Sequence, residues 1–150
     1  MSAVVIGYGN RLRGDDGAGH WLVAWLAAWL ARHPHPGLRV RACHQLTPEL
    51  VALLPGAGRV LFIDATPAPA SLHLQPLRRF GPDTPQHFSH ALSPHQLLAL
   101  AELLHTPTPA AWELLIPAHQ WQLGEGLSPA TAAACRAARP LLRQWVQGDA

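Results

Sequence analysis

The sequence predicts an α/β fold in which a mostly parallel, twisted sheet is flanked by helices on both faces, a doubly wound arrangement of three layers. Short apolar runs of strand length alternate along the chain with longer segments of helical periodicity, the order of elements that a parallel sheet requires. The chain has 150 residues, 49% of them hydrophobic, which is enough for one core. We therefore expect a single domain over residues 1–150.

The first predicted elements are a buried strand and a long helix. Residues 3–7 form an apolar run that ends in glycine, as a buried strand of a parallel sheet does. Further on, tryptophans recur every four residues at Trp21, Trp25 and Trp29, and a leucine follows each of them. This spacing lies along one wide face of a helix, so it predicts a stripe of core residues.

Later strands are predicted at residues 38–43, 60–64 and 112–116. Five prolines interrupt the pattern between Thr66 and His87. For that segment we expect an irregular excursion with an edge strand or a hairpin.

Three helices are predicted to begin with the same pair of residues, a hydroxyl side chain followed by proline. The pairs are Thr47-Pro48, Ser93-Pro94 and Ser128-Pro129. The hydroxyl can cap the helix, and proline suits the first helical position, where its missing N–H has no partner to lose. Gln96 also completes a capping box with Ser93.

Composition excludes several functional classes. Eleven basic and nine acidic residues give a net charge of only +2, so nucleic acid is not an expected partner. Cys43 and Cys135 are too few for a disulfide framework and lack the spacing of a zinc site, which indicates a reducing, cytoplasmic location. We expect no export signal, because the amino terminus runs directly into residues 3–6 with no basic region and no cleavage site. We expect no membrane insertion, because the longest apolar run, residues 21–31, is much shorter than the roughly 20 residues of a membrane-spanning helix.

The loop after the first predicted strand is rich in glycine and ends in two aspartates. Five of residues 7–19 are glycine. The dinucleotide-binding pattern G-x-G-x-x-G would need glycine at position 12, which is Leu12, and the carboxylates would repel a pyrophosphate. A flavodoxin-like nucleotide binder therefore remains an alternative supported only by the fold and by Gly7 and Gly9.

Three of the nine acidic residues, Asp15, Asp16 and Asp64, follow the first and third predicted strands. In both common doubly wound orders these strands are neighbours, about 5 Å apart, and a crevice opens at their carboxyl ends. Asp16 and Asp64 can therefore face one bound atom. In the structural alternative, Asp15 or Asp16 caps the next helix and Asp64 ties down a turn at Thr66-Pro67. We assign the cap to Asp15 and the site to Asp16.

Two histidines are candidates for the same crevice. His90 precedes the helix start at Ser93, and such a loop would direct it to the carboxylates, although a loop histidine is often only solvated. His20 follows Asp16 by four residues and is either a ligand, a proton shuttle or a surface residue. An imidazole and two carboxylates suit a divalent cation without distinguishing nickel from zinc or manganese.

Together these residues resemble the signatures of hydrogenase maturation endopeptidases, which trim the large subunit of a nickel-iron hydrogenase. The matching segments are Gly7-x-Gly9-Asn10, Gly14-Asp15-Asp16-Gly17-x-Gly19, Val60 to Ala65, Ser89-His90 and Gly124 to Pro129. They occur in the family's order over most of the chain. The family often has glutamate at the position of Asp16 and usually an apolar residue at that of His20, and residues 66–87 match poorly.

The resemblance implies a phosphorylase/hydrolase-like fold and a cytoplasmic endopeptidase that removes a short carboxyl-terminal peptide after nickel insertion. Its partner would be the precursor of the nickel-iron hydrogenase large subunit. Asp16, Asp64 and His90 would be the catalytic residues and would contact the nickel of that precursor, which reports that the substrate is loaded. Whether the free enzyme holds another divalent metal stays open.

For the reaction we expect metal-assisted hydrolysis, in which the metal polarises the scissile carbonyl or activates water. Asp15 or His20 would move protons. Ser89 and Cys43 are poor candidates for a nucleophile, because Ser89 adjoins His90 and Cys43 falls within a predicted strand. The alternative from another class is a nickel-binding chaperone that recognises the same precursor without cutting it.

Overall fold

The computed structural model describes residues 2–77 and 92–148, and within them five strands form one sheet. The strands are β1 (Ala3–Tyr8), β2 (Leu38–Cys43), β3 (Arg59–Pro67), β4 (His73–Pro76) and β5 (Ala110–Ala118). Their order is β2-β1-β3-β5-β4, and only β4, at one edge, runs antiparallel to its neighbour. The predicted mostly parallel sheet is therefore confirmed.

Helices cover both faces of the sheet and complete the predicted three layers. They are α1 (Ala18–Arg32), α2 (Pro94–Leu103) and α3 (Pro129–Val146), with short 3-10 helices at Gly14–Gly17 and Pro48–Leu53. Side chains of α1 and α3 share one core cluster with the sheet. Those of α2 and the 3-10 helix Pro48–Leu53 share the other. No helix in the described part of the chain is long and apolar enough to cross a membrane.

The inner strands are buried on both faces, which explains their continuous apolar runs. In β1, Val4 and Ile6 face the α2 side, whereas Val5 faces α1 and α3. All three side chains are fully buried. The same alternation in β3 places Asp64 on the α2 side, the side of Val60 and Phe62.

The predicted core stripe of α1 is only partly correct. Leu22 and Leu26 are fully buried, whereas Trp21, Trp25 and Trp29 are half-buried at the rim of the core. Successive helical positions point about 100° apart, so the tryptophans turn aside when the leucines face the sheet. Arg139 of α3 lies over two of these indoles, 5.0 and 5.7 Å from their ring centres.

Two of the three predicted helix starts are confirmed. Ser93 Oγ accepts from the Gln96 N–H at 3.1 Å, and Gln96 Oε1 accepts from the Ser93 N–H at 2.9 Å, which forms the predicted capping box. Ser128 caps α3. Thr47 instead precedes a 3-10 helix, and its side chain makes no capping hydrogen bond.

The proline-rich segment contains the predicted edge strand as β4. The remainder of that segment, from residue 78, lies outside the described residues.

Candidate active site

The crevice lies at the carboxyl ends of β1 and β3, where the strand order reverses. The chain leaving β1 returns through α1 on one face, and the chain leaving β3 later returns through α2 on the other. Ligands of doubly wound sheets bind at such a point. Asp16 follows β1, and Asp64 lies in β3 one position beyond the register pair of Gly7 with Ile63, so the structure brings both predicted residues to this crevice.

Asp64 lies on the α2 side of the sheet, beyond the buried Phe62. Burial raises the pKa of its carboxyl to about 6; a side-chain hydrogen bond from Tyr8 opposes this shift, and the charges of Asp16 and Glu113 add to it. The group is thus ionised at neutral pH and takes up a proton under mildly acidic conditions.

Asp16 is held by the glycine-rich loop. Its Oδ2 accepts a hydrogen bond from the Asn10 N–H at 2.7 Å. Gly9 has a φ of +145°, and a Cβ at that position would overlap the Asp16 carbonyl oxygen. The loop's sequence therefore fixes the backbone that carries the first carboxylate.

Close packing also accounts for the glycine at the start of α1. A Cβ on Gly19 would lie 2.9 Å from the Tyr8 nitrogen and 3.0 Å from the Ile63 oxygen. Gly19 thus lets α1 approach β1 and β3, and Gly9 makes room for Asp16. These contacts explain the glycines without a bound pyrophosphate, so they weaken the nucleotide-binding alternative.

The prediction that Asp15 caps the following helix is wrong. Asp15 is fully buried, and its carboxylate accepts hydrogen bonds from His119, Gln120, Ser128 and Thr131. Burial alone would raise the pKa of Asp15, but these bonds hold it well below its ordinary value. A buried carboxylate with so many donors does not exchange protons with a substrate, so the predicted proton-transfer role is wrong as well.

His20 lies between two loops. Its Nε2 is 2.8 Å from the Gly9 carbonyl oxygen and 3.1 Å from the Cys43 carbonyl oxygen. Carbonyl oxygens only accept, so Nε2 carries the proton and is not available as a metal ligand. Of its three predicted possibilities, ligation through Nε2 is wrong; the ring instead links the ends of β1 and β2.

His90 lies outside the described residues, as does Ser89. Residues 2–77 and 92–148 contain no group of three histidine, cysteine or acidic side chains arranged to hold a metal ion. The predicted ligand set of Asp16, Asp64 and His90 therefore stays a prediction.

The cysteines are unsuited to nucleophilic attack. Cys43 ends β2, as predicted, and burial raises the pKa of its thiol. Burial and the charge of Asp15 raise the pKa of Cys135 to about 12. Because the thiolate is the nucleophile, both groups are inactive at neutral pH.

Two further polar residues of the crevice were missed by the sequence analysis, namely Tyr8 and Glu113. Burial and the neighbouring Asp64 raise the pKa of Tyr8 far above its ordinary value, so its hydroxyl keeps its proton and acts as a donor. Glu113 lies within β5 and acts electrostatically on both Tyr8 and Asp64. A charged residue inside a predicted buried strand was the available signal for Glu113.

The fold and the crevice define a doubly wound α/β protein with two carboxylates at its switch point. Solved structures with this fold include hydrogenase maturation endopeptidases. The endopeptidase HybD from E. coli is 18% identical over 99% of this chain and 93% of its own, with a TM-score of 0.74. HybD from Thermococcus kodakarensis is 22% identical over 97% and 99%, with a TM-score of 0.68.

A third similar structure is the hydrogenase 2 maturation peptidase from Thaumarchaeota archaeon SCGC_AB-539-E09. It is 21% identical over the full length of both chains, with a TM-score of 0.71. No sequence-family model and no curated protein matches this chain. At these identities the likeness establishes the fold, and it confirms the predicted resemblance at that level.

Proposed function

We propose that this chain is an endopeptidase that removes a carboxyl-terminal peptide from the precursor of a nickel-iron hydrogenase large subunit after nickel insertion. The nickel of the precursor would be the recognition element. The observation that carries the proposal is the convergence of Asp16 and Asp64 at the switch point of a fold whose solved examples include named maturation proteases. The precursor is thus the proposed partner and the cytoplasm the proposed location.

The two carboxylates supply oxygen ligands for a divalent ion brought by the substrate. The hydrogen bond from the Asn10 N–H holds Asp16 in place before the ion arrives. His90 is the proposed third ligand. A metal at this point would polarise the scissile carbonyl or activate water.

Asp64 must be ionised before it can bind the ion. Its pKa of about 6 in the free protein means that the carboxyl is ionised at neutral pH and protonated under mildly acidic conditions. Asp15 and His20, to which the sequence analysis gave proton transfer, are committed to hydrogen bonds that hold the loops together.

The test is to incubate the purified chain with nickel-loaded and nickel-free precursor and to measure the precursor's intact mass. We expect loss of a carboxyl-terminal peptide from the loaded form alone. Asp16→Asn and Asp64→Asn should abolish this loss, whereas Glu102→Gln, on the exposed side of α2, should not.

Each other outcome has a definite meaning. A stable complex without a change of mass would support the chaperone and refute the endopeptidase. Equal cleavage of both precursor forms would refute recognition through nickel. No interaction with either form would leave only the likeness of fold.

A further inference from the structure

One peptide group of the glycine-rich loop connects His20 to Asp16. It joins Gly9 to Asn10, and a side chain binds it at each polar end. The Gly9 carbonyl oxygen accepts a hydrogen bond from His20 Nε2 at 2.8 Å, and the Asn10 N–H donates to Asp16 Oδ2 at 2.7 Å. Because a peptide bond is planar and trans, its C=O and N–H point in opposite directions. The peptide therefore lies between the imidazole and the carboxylate.

The orientation of this peptide depends on what holds Gly9. Its φ of +145° lies in a region that glycine enters freely, so the residue itself imposes little restraint. The Gly9 N–H donates to the Cys43 carbonyl oxygen at 3.1 Å, which ties the preceding peptide to β2. His20 Nε2 also lies 3.1 Å from that Cys43 oxygen. The same imidazole N–H thus holds the peptide after Gly9 and the end of β2.

His20 is suited to hold the peptide in one orientation. It is half-buried in the first turn of α1, and Gly19 lets that turn lie close against β1 and β3. The bond from His20 also makes the Asn10 N–H a stronger donor, since hydrogen bonds in a chain polarise one another.

We propose that His20 is a positioning residue for Asp16. It holds the Gly9–Asn10 peptide so that the Asn10 N–H binds one carboxylate oxygen and leaves the other for the ion of the substrate. The inference rests on the proposed function, because the orientation of Asp16 matters to cleavage only if that carboxylate acts there. Hydrogen-bond partners of this kind orient ligating carboxylates at metal sites.

Two substitutions test the role of His20 in the free protein. His20→Phe removes the donor and keeps a ring, whereas His20→Gln keeps an N–H near the position of Nε2. The amide proton resonance of Asn10 reports its hydrogen bond to Asp16. We expect it to move upfield in His20→Phe, toward its position in Asp16→Ala, and to stay near the wild-type value in His20→Gln. The same spectra show whether each variant is folded.

His33→Phe is the matched control. His33 directly follows the last residue of the same helix, and its Nδ1 lies 3.1 Å from a backbone carbonyl oxygen, that of Trp29. The control removes a comparable hydrogen bond at the far end of α1. It should leave the Asn10 resonance and the cleavage unchanged.

The precursor assays measure the effect on the proposed reaction. For nickel-loaded precursor, kcat/KM of His20→Phe should fall about 2- to 10-fold, the range for loss of one hydrogen bond between neutral groups. Affinity for the loaded precursor should fall with it, whereas affinity for the nickel-free form should stay the same. In the Asp16→Ala background, His20→Phe should not reduce the affinity for loaded precursor further, because no carboxylate is left to position.

The outcomes separate this proposal from the proposed function. An unchanged Asn10 resonance in His20→Phe would overturn the proposal, as would an equal loss of affinity for both precursor forms. A loss of cleavage in His20→Gln as large as in His20→Phe would also overturn it. A shifted Asn10 resonance beside an inactive wild type would overturn the proposed function, while still supporting the link from His20 to Asp16.

Discussion

Replacement of Asp15 by asparagine is predicted to destabilise the fold by about 3–5 kcal/mol, in the range for an uncompensated buried group. The carboxylate accepts five hydrogen bonds, four at Oδ2 and one at Oδ1, with lengths from 2.6 to 2.9 Å. An asparagine can keep its oxygen at the Oδ2 position, but its NH₂ group then faces the Ser128 N–H. The side chain is fully buried, so water cannot take over the lost bond.

The magnitude follows from these contacts. Two buried donors that face each other cost about 2–4 kcal/mol, because each loses its acceptor. The four remaining bonds pass from charge-assisted to neutral, which adds about 1 kcal/mol once their non-additivity is allowed for. The sum is a large share of the total of about 5–15 kcal/mol that stabilises a typical domain.

Urea unfolding of the wild type, Asp15→Asn and Asp16→Asn measures the effect. Asp16 is half-buried and accepts one hydrogen bond, from Asn10, so its substitution should cost about 1 kcal/mol or less. The two adjacent substitutions should therefore have different effects: Asp15→Asn should reduce stability, and Asp16→Asn should reduce cleavage. A loss below about 1 kcal/mol for Asp15→Asn, or an equal loss for Asp16→Asn, would refute the reasoning.

Below about pH 4, the wild type should lose the stability that Asp15 contributes, because a carboxyl with a lowered pKa in the folded state must then be protonated. The free energy of unfolding of Asp15→Asn should lack this dependence on pH. Protonation of Asp64 has the opposite effect on stability, because its pKa of about 6 in the folded protein lies above the unfolded value. This contribution stabilises the fold fully below about pH 3.9 and is lost as the pH rises through 6. Cleavage should fall as the pH drops through about 6 in a pH profile of kcat/KM, and a flat profile would exclude Asp64 as the ionising group. Ser128→Ala should cost about 1–3 kcal/mol in urea unfolding, because it removes both a helix cap and a donor to Asp15, whereas Thr47→Ala, which loses no capping bond, should stay within about 0.5 kcal/mol.

The features that the sequence predicted depend on local pattern or on the general geometry of parallel sheets. Residues 38–43 form β2 as predicted, and their alternation of apolar residues with Arg39 and Arg41 is typical of a strand with one exposed face. The meeting of Asp16 and Asp64 follows from the same geometry, since adjacent parallel strands end at one edge. The 3-10 helix after Thr47 was not predictable, because its hydroxyl-proline start suits both kinds of helix.

The features that were missed depend on contacts between distant segments. The donors to Asp15 lie 104 to 116 positions further along the chain, and no periodicity connects them to it. Tyr8 and Glu113 become neighbours of Asp64 only through strand register, which the sequence does not specify. A polar residue in a short strand looks the same whether it faces solvent or a site.

The bonds of Asp15 also join two separated segments of the chain, the glycine-rich loop and the late turn that begins at Gly124. In the 3-10 helix Gly14–Gly17, consecutive side chains point about 120° apart, so Asp15 enters the core while Asp16 faces the crevice. Asp15 then binds Ser128 of the late turn, and the Gly14 N–H donates to the Gly124 carbonyl at 2.9 Å. The glycine-rich loop and the late turn are therefore one structural unit. Because Asp15 and Asp16 are adjacent in the same short helix, a change in the late turn should shift Asp16 through the backbone of this unit.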